Sequence, residues 1–152
     1  MEILELLARN ESAIELLYRE YARYFPQHRA FWSKMADEEN QHAEWIGELN
    51  TELYQNKVQG KEPTSYSNEA IVNFGKYLEK ERNRLMNEDY SPQEAFEVGY
   101  FIENTLIERR YLEAINQASP KTVKNVVTRL EEATKSHLLR IKQIKDSLST
   151  KI

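Results

Sequence analysis

The sequence predicts an all-α fold, a four-helix bundle made of two antiparallel hairpins with a long crossover between them. The 152 residues include only four glycines and four prolines, and 30% are charged. This composition is typical of long solvated helices rather than of sandwiches or barrels. Because proline interrupts a helix interior, the four prolines divide the chain into segments of helix length. We expect one domain over residues 1–152, since this length suits a single core.

Four of these segments carry apolar residues at alternating steps of three and four, which indicates a helix with one face towards a partner. The first stripe runs from Leu4 to Phe25, the second from Trp32 to Leu53, the third within residues 92–118 and the fourth from Val123 to Leu148. The pair Ser91-Pro92 predicts a capped start for the third helix. A weaker stripe, with Ile71, Phe74, Leu78 and Leu85, predicts a short extra helix in the crossover, outside the bundle.

The connections between helices indicate the topology. Short turns at Pro26 and Pro120 predict two antiparallel hairpins, and the long loop over residues 59–68 belongs to the crossover between them. Two hairpins joined by a crossover form the ferritin-like kind of four-helix bundle, whose metal sites lie in the core on facing helices.

The apolar stripes are interrupted by ionisable residues, at least one on each long helix. These residues are Glu11, Glu39, His42, Glu103 and His137. Counted from the turn of their hairpin, Glu103 and His137 are each seventeen residues from Pro120, so the two lie at similar heights. A buried carboxylate without a partner costs several kcal/mol or is neutralised by a proton, so three carboxylates and two imidazoles that converge in a core are hard to tolerate without a cation. Oxygen and imidazole ligands without sulfur suit iron, manganese or zinc.

The motif Glu39-x-x-His42-Ala43, together with Glu11 and Tyr18 on the first helix, resembles the rubrerythrin branch of the ferritin-like superfamily. In that family, carboxylates from the first and third helices and Glu-x-x-His pairs from the second and fourth hold two irons. The resemblance implies iron as the cofactor and peroxide or dioxygen as the substrate. Because the chain lacks the cysteine-ligated iron module of full-length rubrerythrins, it also implies an external electron donor. The ligands that it implies are Glu11, Glu39, His42, Glu103 and His137.

The sequence departs from the family pattern at Thr134, where the second Glu-x-x-His pair requires a glutamate. Three carboxylates leave a charge of about +1 with two ferrous ions and about −1 with one, so the number of metals stays open. One hypothesis is a rubrerythrin-like oxidoreductase or ferroxidase. A second hypothesis is a degenerate bundle that binds metal or a partner without turnover. A third is an interaction protein without metal. In this third hypothesis, Glu103 forms an ion pair with Arg110, and His137 is an ordinary core histidine.

Several classes of function are excluded by composition. The chain has no cysteine, which excludes disulfide scaffolds, thiolate sites and thiol nucleophiles. A formal net charge of −4 gives no basis for binding nucleic acid or anionic lipid. No apolar run reaches the roughly 20 residues of a membrane span, and the acidic N-terminus is unlike a signal peptide. We therefore expect a cytoplasmic homo-oligomer, a dimer, that binds neither nucleic acid nor membranes.

Overall fold

The structure, a computed structural model, describes residues 2–55, 68–105 and 121–149. These residues form five α-helices and one short 3-10 helix, and they contain no strand. The predicted all-α, ferritin-like bundle is thereby confirmed. The α-helices are α1 (Glu2–Tyr24), α2 (Arg29–Gln55), α3 (Asn68–Asn87), α4 (Pro92–Glu103) and α5 (Lys121–Ser149).

The first hairpin consists of α1 and α2, joined by the 3-10 turn Pro26–His28. Proline suits the first position of this turn because the first N–H of a helix has no partner within the helix. Phe25 precedes the turn and is buried, so it continues the apolar stripe of α1 beyond the last helical residue.

The crossover contains α3, which runs parallel to α1. Asn10, in the first half of α1, donates from its side-chain amide to the carbonyl oxygen of Ile71, near the start of α3, at 3.0 Å. Further along both helices, the hydroxyl of Tyr21, in the last turn of α1, is 2.7 Å from that of Tyr90, just after the end of α3. The helix has 20 residues and is therefore not the short one expected. Its buried apolar residues, seven apart, form a continuous stripe against α1; they are Ile71, Leu78 and Leu85.

The start of α4 is the predicted one. Ser91 accepts a hydrogen bond from the Glu94 backbone N–H, and the Glu94 side chain accepts one from the Ser91 N–H, which forms a complete capping box. The helix ends at Glu103, earlier than the pattern predicted, and Asn104 and Thr105 are weak helix formers. The predicted continuation to residue 118, the loop over residues 59–67 and the turn at Pro120 lie outside the described residues.

The core consists of two apolar clusters along the bundle axis. Helix α4 packs against α5, and α5 packs against α2. One cluster surrounds Trp32 and includes Tyr18, Phe96 and Ile141; the other includes Leu4, Leu49, Val126 and Leu130. On α1, α2 and α5, several residues separate the end of one cluster from the start of the other. The side chains at this level of the bundle belong to neither apolar cluster and form a separate layer. Within the described ranges, no helix combines the length and apolar character that a membrane span requires.

Candidate metal centre

The layer between the two apolar clusters holds all five ionisable residues that interrupt the stripes. We call it the polar layer. It draws on four helices, one residue each from α1, α4 and α5 and two from α2. All five side chains are buried, with exposed fractions of 5% or less; they are Glu11, Glu39, His42, Glu103 and His137.

Glu39 is the centre of the polar layer because both imidazoles contact its carboxylate. Its Oε1 lies 2.8 Å from His137 Nδ1, and its Oε2 lies 3.1 Å from His42 Nδ1. The two imidazole rings stack with their centroids 4.7 Å apart and their planes 22° apart. Glu39 and His42 reach this point together because residues three apart lie on one helix face.

The other two carboxylates flank this centre. Glu11 Oε2 is 3.4 Å from His42 Nδ1, and Glu103 Oε1 is 3.5 Å from His137 Nδ1. Each Nδ1 therefore faces both Glu39 and one terminal carboxylate. The Tyr18 hydroxyl donates to Glu103 Oε1 at 2.8 Å, which fixes that carboxylate from α1.

The family of the chain follows from a match along nearly its whole length. The family model described as Rubrerythrin matches residues 2–145. The chain belongs to the rubrerythrin family. This match covers the helices that carry the polar layer and confirms the resemblance. The 152 residues contain no cysteine and therefore no cysteine-ligated iron module. No curated protein and no solved structure matches the chain.

The polar layer of this rubrerythrin-family chain suits a metal ion in its donor chemistry. One ligand atom each from Glu39, His42 and His137 lie within 4.8 Å of one another. The layer offers carboxylate oxygens and imidazole nitrogens in a buried place, and this donor set fits iron, manganese or zinc. That all five residues bind metal stays a prediction.

Protons and hydrogen bonds compensate the buried charges of the polar layer. Burial and the neighbouring Glu103 charge raise the pKa of Glu39 to about 8. Burial opposes the charged form of His42, yet its carboxylate partners Glu11 and Glu39 raise its pKa to about 11. Burial also opposes ionisation of Glu103, but hydrogen bonding from His137 and its charge hold the pKa of Glu103 below its usual value. A bound cation would take the place of these protons.

Thr134 supplies no carboxylate to the polar layer, in contrast to the family pattern. Its hydroxyl donates to the Leu130 carbonyl oxygen at 2.9 Å, one turn back on α5. The hydroxyl therefore satisfies the backbone of its own helix, as serine and threonine hydroxyls commonly do. The polar layer therefore contains three glutamates, whereas the family pattern has four.

The structure adds Glu38 and Arg140 to the surroundings of the polar layer, where the sequence did not predict them. The Arg140 guanidinium donates to both carboxylate oxygens of Glu38, at 2.9 and 3.0 Å. Glu38 Oε2 is also 3.6 Å from His137 Nε2, a buried nitrogen without a hydrogen bond in the described part of the chain. Partial burial opposes ionisation of Glu38, but Arg140 and His137 lower its pKa. The signal in the sequence is weak, since both residues are off the apolar stripes.

Proposed function

We propose that this protein binds iron in the polar layer, and that the iron reacts with peroxide or dioxygen. The observation that carries the proposal is that the Nδ1 atoms of His42 and His137 both face Glu39 in a buried layer. Without a cation, this arrangement holds three carboxyl groups together away from water and raises the pKa of Glu39. Membership of the rubrerythrin family supports iron over manganese or zinc.

Each residue of the polar layer has a role in this proposal. Glu39 is the shared ligand because its two oxygens face different imidazoles. Glu11 and Glu103 are terminal carboxylates, one beside each imidazole. Tyr18 holds Glu103 in place through its hydrogen bond. The apolar clusters on both sides exclude water, which strengthens electrostatic interactions within the layer. Bound iron supplies one-electron redox chemistry that no side chain of the layer offers.

A second candidate function is metal binding without turnover. Thr134 favours it, because the hydroxyl is bonded to Leu130 and the layer lacks a fourth carboxylate. With three carboxylates the layer carries a charge of about −1 around one divalent ion and about +1 around two. Iron stoichiometry and peroxide consumption separate the two functions. Two irons per chain with consumption of peroxide support the oxidoreductase, and one ion without consumption supports the binding module.

The first test is Glu39→Ala. We expect this variant to lose metal uptake, because it removes the carboxylate that both imidazoles face, and to keep its helical content, because the apolar clusters are unchanged. The metal content of protein purified without chelator is measured by mass spectrometry, and the helical content by circular dichroism.

The matched control for this test is Glu44→Ala, on the exposed face of the same helix. It removes a glutamate of α2 and leaves the polar layer intact, so its metal content should equal that of the parent. Equal metal content in Glu39→Ala and the parent would contradict the assignment of the site.

A further inference from the structure

A row of aromatic side chains leads from the polar layer towards the protein surface. Tyr18, whose hydroxyl is bonded to Glu103, has its ring centroid 4.8 Å from that of Trp32. The centroid of Trp32 is in turn 4.9 Å from that of Tyr21. The Tyr21 hydroxyl is 2.7 Å from the Tyr90 hydroxyl. Tyr18, Tyr21 and Trp32 are fully buried, whereas Tyr90 is half-buried. The row therefore connects the buried layer with a solvent-accessible residue.

Each phenol in the row has a proton acceptor in contact with its hydroxyl. Tyr18 donates to Glu103 Oε1 at 2.8 Å, and Tyr90 donates to Glu81 Oε2 at 3.1 Å. Since the Tyr90 proton points to Glu81, the Tyr21 hydroxyl donates to the Tyr90 oxygen. A phenol that loses an electron also gives up its proton. In this row, that proton reaches an oxygen without crossing an apolar region.

Packing alone does not account for this arrangement. Phenylalanine would fill the same volume, and a buried hydroxyl carries a desolvation cost that its hydrogen bond only offsets. Here the three hydroxyls are placed at the two ends of one aromatic row, with a carboxylate at each end, Glu103 and Glu81. Trp32, in the middle, has an indole N–H without a hydrogen-bond partner among the described residues, so its burial serves the ring rather than its polar atom.

We propose that Tyr18, Trp32, Tyr21 and Tyr90 form a relay that carries electrons from the protein surface to the polar layer. This inference rests on the proposed function, because the oxidant is hydrogen peroxide consumed at the iron site. One electron leaves the Tyr18 phenol for the oxidised site, and its proton passes to Glu103, which leaves a neutral phenoxyl radical.

The relay then moves the oxidised position outward. Tyr21 reduces the Tyr18 radical through Trp32, and Tyr18 recovers its proton from Glu103. As Tyr21 gives up its electron, its proton passes to the Tyr90 oxygen and the Tyr90 proton passes to Glu81. Tyr90 then gives an electron to Tyr21 and returns the proton along the same hydrogen bond, which leaves a neutral phenoxyl radical on Tyr90. An external one-electron donor finally reduces Tyr90, which recovers a proton from Glu81. Each peroxide takes two electrons and two protons to form two waters, so the relay operates twice for each peroxide. The relay returns every proton to its phenol, and the two protons that the waters require come from solvent.

The test compares Tyr90→Phe and Tyr21→Phe with the parent. Both variants keep the ring and remove the phenol. Iron-loaded protein is mixed with hydrogen peroxide, frozen within the reaction time and examined by electron paramagnetic resonance, with ring-deuterated tyrosine to identify tyrosyl signals. We expect a tyrosyl radical in the parent. Tyr90→Phe should lose the fraction of this signal that ascorbate quenches rapidly, and Tyr21→Phe should retain only the radical next to the polar layer.

The matched control for the relay is Tyr24→Phe, which removes an exposed tyrosine of α1, 42% accessible, and leaves the row intact. Its radical spectrum and its quenching by ascorbate should equal those of the parent. Iron content and the iron absorption band are measured on the same samples. Normal iron content and peroxide consumption with unchanged spectra in Tyr21→Phe and Tyr90→Phe would overturn the relay and leave the proposed function standing. Absence of iron binding in the parent would overturn both.

Discussion

Glu39 shows how one residue combines a structural cost with a chemical role. Its carboxylate is 1% exposed and lies among two other carboxylates, so in water-free surroundings it holds a proton, with a pKa near 8. In the proposed function a bound cation would take the place of that proton, and both imidazoles already contact the carboxylate oxygens. An apolar residue at this position would pack at lower cost. The proposed metal binding accounts for the retained cost.

The contact between Glu38 and His137 leads to a prediction about metal affinity. If His137 held a metal through Nδ1, its neutral ring would carry the proton on Nε2, and Glu38 Oε2 lies 3.6 Å from that atom. Acceptors of this kind orient metal-bound histidines, and their loss typically weakens metal affinity by about tenfold to a hundredfold. We expect this loss in Glu38→Ala and a smaller one in Glu38→Gln, which keeps an oxygen acceptor. Competition with a chelating dye measures the affinity.

Arg140 provides the counterpart to this prediction. Its guanidinium holds Glu38 in place from one turn beyond His137 on α5. Arg140→Ala should therefore weaken metal binding less than Glu38→Ala, because it frees the carboxylate but does not remove it. Metal affinity equal to that of the parent in Glu38→Ala would show that the contact with His137 has no part in binding.

The five residues of the polar layer could be predicted from the sequence. Glu38, which contacts His137 from outside the layer, and Arg140, which contacts Glu38, could not. Glu11 and Glu103 are predictable because they interrupt apolar stripes. Glu38 and Arg140 are not, because they lie beside the stripes, where charged residues are the rule on any solvated helix. Their pairing spans 102 residues of sequence and depends on the packing of α2 against α5.

At the scale of elements, the starts of helices were easier to predict than their ends. The start of α4 follows from Ser91, Pro92 and Glu94, since a capping box is a local hydrogen-bond pattern of neighbouring residues. The end at Glu103 does not follow, because the apolar pattern continues past it. The length of α3 was also underestimated. Its stripe against α1 has a step of seven, which is weaker evidence in sequence than alternating steps of three and four.

Two glycines in helix interiors are predicted to respond in opposite ways to alanine. A Cβ at Gly99 would lie 2.9 Å from Trp32 Cη2 and 3.2 Å from Ile141 Cδ1. Trp32 is fully buried between other aromatic rings and has no room to move. Gly99→Ala should therefore lower the free energy of unfolding by about 1–3 kcal/mol, as overpacking of a core does.

Gly47 is the matched control, since a Cβ there would meet no described atom within 4 Å. Gly47→Ala should raise the free energy of unfolding by about 0.5–1 kcal/mol, because alanine favours a helix interior more than glycine does. Urea unfolding followed by circular dichroism measures both variants. A higher free energy of unfolding in Gly99→Ala as well as in Gly47→Ala would show that the contact between α4 and Trp32 is looser than the structure has it.

At the scale of the whole molecule, the arrangement is a polar layer between two apolar clusters. The heights of Glu11 and His42 within the first hairpin could be predicted by counting from Pro26, because α1 and α2 are continuous on either side of the turn and a helix rises 1.5 Å per residue. The count from Pro120 to Glu103 is not tested, because α4 ends at Glu103 and residues 106–120 lie outside the described part of the chain. The alignment of one hairpin with the other could not be predicted, because it depends on the packing of α5 against α2. The contact between Glu39 on α2 and His137 on α5 shows how these two helices align at the polar layer.

The buried phenols make the stability of the whole molecule sensitive to alkaline pH. Burial raises the pKa of Tyr21 and Tyr90, and together with the Glu81 charge it raises the pKa of Tyr77 to about 12. The pKa of tyrosine in an unfolded chain is about 10. The folded state therefore keeps protons that the unfolded state loses, and their stabilising effect is complete below pH 10 and is lost as the pH rises above it.

We expect the free energy of unfolding to fall as the pH rises from about 10 to about 12, measured by urea unfolding in a series of buffers. Lysine side chains also titrate in this range, so the contribution of a buried phenol is isolated by comparing slopes. Tyr21→Phe should show a shallower decline than the parent, because it removes one phenol that must stay protonated in the folded state. Tyr24→Phe, which removes an exposed phenol, should decline as the parent does. Equal slopes in Tyr21→Phe and the parent would mean that Tyr21 ionises as readily in the folded bundle as in the unfolded chain, which its complete burial beside Tyr90 opposes.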